Sequence, residues 1–209
     1  MNSDNSAAIA PDQALALLKT GNERFVAGLV NPRDDFPEQR SGLADGQAPY
    51  ASILCCSDSR VPPELVFDEG LGRLFIARVA GNVLTPELLA SLEYAALHST
   101  SRLIVVLGHE SCGAVTAAVQ TLAQGASAES PSLQALLDRI FPVVRTARNE
   151  TELDGRAFIE RCTEDNARKT AAAIMAESDA LRDLVNRGEI RIVAAKYALA
   201  DGRVTFLDI

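Results

Sequence analysis

Nowhere in the 209 residues does an apolar run approach the roughly 20 residues that a membrane-spanning helix needs. The N-terminus, Met1 to Ala10, has no basic region followed by an apolar stretch. It lacks the marks of a secretory signal, and the expected location is the cytoplasm. There is no surplus of positive charge either: 20 Lys and Arg stand against 28 Asp and Glu, for a net charge of −8. Binding a phosphate backbone needs concentrated Lys and Arg, so a nucleic-acid partner is not expected, and neither is a membrane. No internal repeat and no low-complexity linker is visible. Cysteine is scarce, at positions 55, 56, 112 and 162, and a cytosolic chain of this size does not rely on a disulfide framework. Four cysteines beside two histidines direct the search toward a metal site instead.

What is present suits a soluble domain. The hydrophobic fraction of 47% and charged fraction of 23% are ordinary, and the length allows one α/β domain with a sizeable core. We expect a single domain over 1–209, with 1–49 as an N-terminal helix and arm. Pro11 and Asp12 open a helix to about Ala27, with Leu15, Leu18, Phe25 and Val26 at helical spacing and Asn22 interrupting the stripe. Residues 30–49 hold three prolines and many charges and read as a surface excursion. Strands are expected at 50–56, 74–79, 102–107 and 189–198. Asp201-Gly202 reads as a hairpin turn into a last strand over 204–207. A helix follows Thr85 as N-cap and Pro86, another begins at Gly113, and 132–147 and 155–186 read as helical, with Pro142 kinking or breaking the first. Strand and helix alternate. The expected fold is therefore α/β: a mainly parallel central sheet flanked by helices, with an antiparallel C-terminal strand and an N-terminal helical arm.

Two segments carry chemistry. Cys56-Ser-Asp-Ser-Arg60 follows the first strand, and Gly108-His109-Glu-Ser-Cys112-Gly113 follows the third. Sites in open parallel sheets form beyond the carboxyl ends of strands, so the two can meet. Zn²⁺ favours thiolate and imidazole in a tetrahedron; Cys56, His109 and Cys112 supply three ligands and leave a catalytic open position. Asp58 and Arg60 lie close behind the first ligand. Arg60 can hold the carboxylate by charge-assisted hydrogen bonds and keep it anionic. Plainer readings exist for each part. A cysteine after a buried strand is often core, His109 can sit between turn glycines, and Asp58–Arg60 can be a loop ion pair. The combination of two complementary segments favours a site.

Cys56-Ser-Asp-Ser-Arg60 with His109-x-x-Cys112 resembles the signature of the β-class carbonic anhydrases. Gln47-x-Pro49 and Glu93-Tyr94 also match that family. Phe75-Ile-Ala-Arg78-Val-Ala-Gly81-Asn82 is similar to its F-V-V-R-N-A-G-N stretch, with Val79 in place of the usual Asn. The resemblance runs from about Gln13 to the C-terminal strands. It implies one Zn²⁺ per chain and reversible hydration of CO₂ to bicarbonate and a proton, by attack of zinc-bound hydroxide oriented by an Asp58–Arg60 dyad. It implies that Gln47 and the backbone N–H of Gly113 bind substrate oxygens, and that Phe75, Ala80 and Tyr94 line an apolar pocket. It also implies a homodimer or higher homo-oligomer, with Gln47, Phe75 and Tyr94 serving the neighbouring subunit's site.

One subset of the family binds a second, noncatalytic bicarbonate that favours an aspartate-ligated zinc, and carries a tryptophan three residues before the first cysteine ligand. Here that position is Ile53, and the chain has no tryptophan. Losing that donor costs about 1–3 kcal/mol, roughly 5- to 150-fold in binding, so an open zinc is expected. Arg78 leaves room for a weak anion site. Three other readings share these residues: CS₂ or COS hydrolysis at the same site, an anion-cradling cysteine loop over Cys55-x₄-Arg60, and a zinc-storing module closed by Asp58. His98, Cys55 and Cys162 are not assigned roles. His98 reads as surface, Cys55 as facing the core opposite Cys56, and Cys162 as a helical thiol.

Overall fold

The computed structural model describes residues 8–32 and 35–208. The frayed start expected at 1–10 therefore falls mostly outside the described residues. The chain opens with α1 (Pro11–Ala27) and a short α2 (Phe36–Gly42), so the expected excursion at 30–49 contains a helix. There follow β1 (Ala51–Cys55), α3 (Pro63–Val66), β2 (Leu74–Arg78), a 3₁₀ turn at Ala80–Asn82, α4 (Pro86–His98) and β3 (Leu103–His109). The second half comprises α5 (Gly113–Gln124), α6 (Pro131–Glu150), α7 (Gly155–Glu177), α8 (Asp179–Asn186), β4 (Arg191–Tyr197) and β5 (Val204–Leu207). Among the described residues no helix is long and apolar enough to cross a membrane.

The sheet has the order β2-β1-β3-β4-β5, parallel except for β5, which runs antiparallel to β4. β1 and β3 are buried along their whole length, which is why they read as unbroken apolar runs rather than alternating ones. One face packs Ala51, Ile53, Cys55, Val105 and Leu107 under α1. The other packs Leu54, Ile104 and Val106 against α4, α7 and α8. In the sheet register Cys55 pairs with Arg78 and with Leu107. Cys56 and Gly108-His109 therefore leave the sheet at the same end.

Three local expectations change. Pro142 does not break α6, which runs through it. Its side chain is exposed, while Ile140, Phe141, Val143 and Val144 on either side are buried and hold the helix against the core. The span 155–186 divides at Ser178, whose backbone N–H closes α7 on Ile174 and whose hydroxyl caps α8 by accepting from Leu181 N–H at 3.2 Å. The last connection is longer than a two-residue hairpin: Tyr197 pairs with Val204, and Gly202, at φ 77°, donates its N–H to the Ala198 carbonyl.

Asn22 is not a lapse in the apolar stripe of α1. Its amide nitrogen donates to the carbonyls of Val66 and Gly202 at 3.0 and 2.8 Å, and its oxygen accepts from Val204 N–H at 2.8 Å. The preceding Gly21 lets α1 approach closely, since a Cβ there would lie 1.9 Å from the Phe67 carbonyl oxygen. Asn22→Ala strands three main-chain groups in a buried place. We expect a loss of about 3 kcal/mol in urea unfolding, from unsatisfied buried groups; a change within experimental error would mean that water replaces the amide.

Candidate metal centre

Cys56, His109 and Cys112 converge beyond the ends of β1 and β3, their ligand atoms all within 4.8 Å of one another and all three buried. The sulfurs of Cys56 and Cys112 are 4.0 Å apart. His109 ends β3, and its Nδ1 lies 2.9 Å from the Glu110 carbonyl oxygen. A carbonyl only accepts, so Nδ1 carries the proton and Nε2 presents a lone pair. That Nε2 is buried with no hydrogen-bond partner among the described residues. An orphaned imidazole nitrogen facing two sulfurs is the donor set of a borderline-soft cation, and the residues fit Zn²⁺.

The two thiols are in hydrogen-bond contact. The hydrogen bond from Cys112 holds Cys56 well below the usual thiol range; the same contact, with burial, pushes Cys112 up. The first-turn N–H groups of Val115 and Ala114 pull Cys112 the other way, because Cys112 is the N-cap of α5. A bound cation would ionise both, since a coordinating thiol is deprotonated outright.

Beside the sulfurs, Arg60 grips Asp58 through both carboxylate oxygens: Nε to Oδ1 at 2.9 Å and a terminal nitrogen to Oδ2 at 2.7 Å. Arg60 N–H adds a third bond to Oδ1. These bonds hold the Asp58 carboxyl far below the usual carboxylate range. Asp58 Oδ2 lies 3.9 Å from His109 Nε2, which places the carboxylate beside the cluster. Arg78, considered above as an anion site, instead donates to the Cys56 and Asp58 carbonyls at 2.7–3.0 Å and ties the 56–58 loop to β2.

The remaining candidates divide into two groups. Gly113 begins α5 next to Cys112, with open space where a Cβ would be. Ala80 starts the 3₁₀ turn whose Gly81 N–H donates to Cys56 Sγ at 3.3 Å. Gln47, Phe75 and Tyr94 are not brought to this centre. Gln47 is exposed ahead of β1, at the opposite end of the sheet from Cys56. Phe75 is level with Ser52, four residues or about 13 Å back along the strand direction. Its ring lies 6.4 Å from that of Tyr94, which is 57% exposed.

The cysteine-loop alternative fails on direction. Cys55 faces the α1 side of the sheet, fully buried, its thiol pushed up to about 12 chiefly by burial, and cannot join Arg60 around an anion. His98 is exposed and Cys162 is a buried thiol on α7, as expected. Sequence reasoning missed two side chains of α7. Glu160 accepts from Ser111 N–H at 3.0 Å, and Asn166 donates to the Gly81 carbonyl at 2.8 Å. The available signal was an asparagine in the interior of a long helix, where asparagine is a poor helix former.

Fold and site together are those of a β-carbonic anhydrase. The family described as carbonic anhydrase matches residues 51–204, and the chain belongs to it, a family of lyases. Carbonic anhydrase 2 of Mycobacterium tuberculosis is 39% identical over 198 residues, covering 95% of this chain and 93% of that protein. The β-carbonic anhydrase CcaA superposes with a TM-score of 0.76 at 26% identity, covering 94% of this chain and 88% of its own. A β-carbonic anhydrase from Sordaria macrospora, described as tetrameric, shares the fold with a TM-score of 0.74 at 23% identity, over 83% of this chain and 87% of its own.

Proposed function

We propose that this chain catalyses the reversible hydration of CO₂ to bicarbonate and a proton at one zinc ion held by Cys56, His109 and Cys112. The orphaned, buried Nε2 of His109 facing two sulfurs is the observation that carries the reading. Zinc, when bound, supplies the acidity that makes water a nucleophile at neutral pH. The chain's own groups do the rest. Arg60 keeps Asp58 anionic, so Asp58 accepts a hydrogen bond from the nucleophile and turns its lone pair toward CO₂. The open backbone at Gly113 and the wall at Ala80 leave space for substrate, with the Gly113 N–H, at the start of α5, as donor to bicarbonate. Stopped-flow CO₂ hydration on zinc-loaded protein tests the reading; no turnover above buffer would end it.

Gln47, Phe75 and Tyr94 belong in this scheme to the site of a second copy. Their distance from Cys56 within one chain supports this, as do the half-buried Phe75 on the edge strand β2 and the exposed Tyr94 and Leu97 of α4. Two inactive variants test it. In a mixed dimer of Gln47→Ala and Asp58→Asn subunits, a shared arrangement leaves one site with an intact Asp58 and an intact Gln47. We expect mixing to restore hydration. Mixed dimers no more active than the parents, or an active monomer by light scattering, would place Gln47 elsewhere.

In this reading Asp58 stays on Arg60, so Cys56, His109 and Cys112 would hold a bound metal and leave its remaining position open. Ile53 is fully buried and offers no donor, and the Arg78 guanidinium already donates through Nε and one terminal nitrogen to main-chain carbonyls. A crystal structure near neutral pH in high bicarbonate is expected to keep Asp58 on Arg60. Asp58 turned to the metal, with Arg60 released and bicarbonate beside Ile53, would defeat this.

A further inference from the structure

The helix α7 supplies no metal ligand, yet it holds the loop around one. Asn166 lies mid-helix and is 2% exposed, on the face that also buries Cys162, Thr163, Ala167 and Thr170. A buried amide without a partner is costly, and an asparagine here gains nothing as a helix former. Its Nδ2 finds one acceptor far away in sequence, the Gly81 carbonyl at 2.8 Å. Gly81 occupies the left-handed region, φ 70° and ψ 15°, inside the 3₁₀ turn. Its N–H points to Cys56 Sγ at 3.3 Å. A Cβ on Gly81 would come within 2.9 Å of Ile140 Cδ1 and 3.1 Å of Ala114 Cβ, so the residue is pressed from the α5 and α6 side as well. The chain of contacts runs from Asn166 to Gly81 to the Cys56 sulfur.

We infer that Asn166 is a positioning residue for Cys56. By holding the Gly81 carbonyl, it fixes the tilt of the turn and so aims the Gly81 N–H at the thiolate. A hydrogen bond to a thiolate ligand draws charge from the sulfur and sets its direction, which tunes and orients the metal bond. The inference rests on the metal-centre reading above.

Cobalt(II)-loaded protein provides the test, because thiolate-to-cobalt charge transfer reports on the sulfur directly. Asn166→Asp keeps the volume and replaces the donor with an acceptor. Asn166→Leu stands in if the aspartate variant does not fold. Thr170→Val, one turn further along the same buried face, is the control for packing. The Asn166 variants are expected to shift the charge-transfer band and to release metal to a chelator about 10- to 100-fold faster than the parent. Thr170→Val is expected to match the parent in both. Parental band and release rate in a folded Asn166 variant would overturn the inference, as would Thr170→Val reproducing the change. A parent protein with no thiolate-to-cobalt band would remove the metal-centre reading itself.

Discussion

Cys112→Ala protein is expected to emerge from gentle purification almost free of zinc, against near one zinc per chain for the parent. Cys112 is fully buried, and its sulfur sits 4.0 Å from that of Cys56, so nothing from solvent replaces it without remodelling. Its removal leaves one thiolate and one imidazole, two of the three protein ligands a catalytic zinc requires. The Thr116 N–H bond to the residue 112 carbonyl, which opens α5, does not depend on the side chain removed. Cys162→Ala is the matched control: equally buried, in the same apolar cluster, with a thiol pushed up to about 11 by burial and no part in the cluster of ligand atoms. Elemental analysis of both decides the matter. Full metal in Cys112→Ala would strike that residue from the ligand set.

Asp58→Asn is expected to keep its metal and lose about 10²–10⁴-fold in CO₂ hydration, the usual worth of a positioned acid–base group. The variant is nearly isosteric, but the change reaches both partners. An asparagine offers Arg60 one oxygen and one NH₂, so one of the two bonds at 2.9 and 2.7 Å becomes a donor facing a donor. Arg60 is already 53% exposed along its side chain and swings free at little cost. The neutral acceptor then neither orients the nucleophile nor is oriented itself. Metal content and melting temperature alongside the rates separate this from simple unfolding. Near-normal hydration would reduce Asp58 to a loop residue.

Much of this was legible in the sequence because parallel strands announce themselves as apolar runs and because ligand spacing is local. Cys56 to Arg60 lies within five residues, and His109 to Cys112 forms the tight corner between β3 and α5. The register that joins the two corners follows from strand order. What stayed hidden depends on contacts between remote segments. The role of Asn22 needs Val66 and Gly202, and that of Asn166 needs Gly81, 85 positions away. A polar residue in an apolar stripe looks like an interruption until its partners are known. The break at Ser178 is a different omission: its serine-aspartate pair is a readable cap, masked by helical composition on both sides. Continuous passage through Pro142 shows packing overriding a local preference, since the helix loses one hydrogen bond but keeps its buried face.

The bracket at Asn22 also bears on the order in which the molecule is made. Its partners at 202 and 204 lie 180 and 182 positions downstream. All three ligand residues have left the ribosome once Cys112 has, long before β4 and β5 exist. α1 is thus the first helix synthesised, yet its bonds to 202 and 204 are among the last to form, while β1, β2 and β3 can already stand side by side. The oldest part of the nascent chain must wait for the youngest: of its three main-chain partners, Asn22 can reach only the Val66 carbonyl until then.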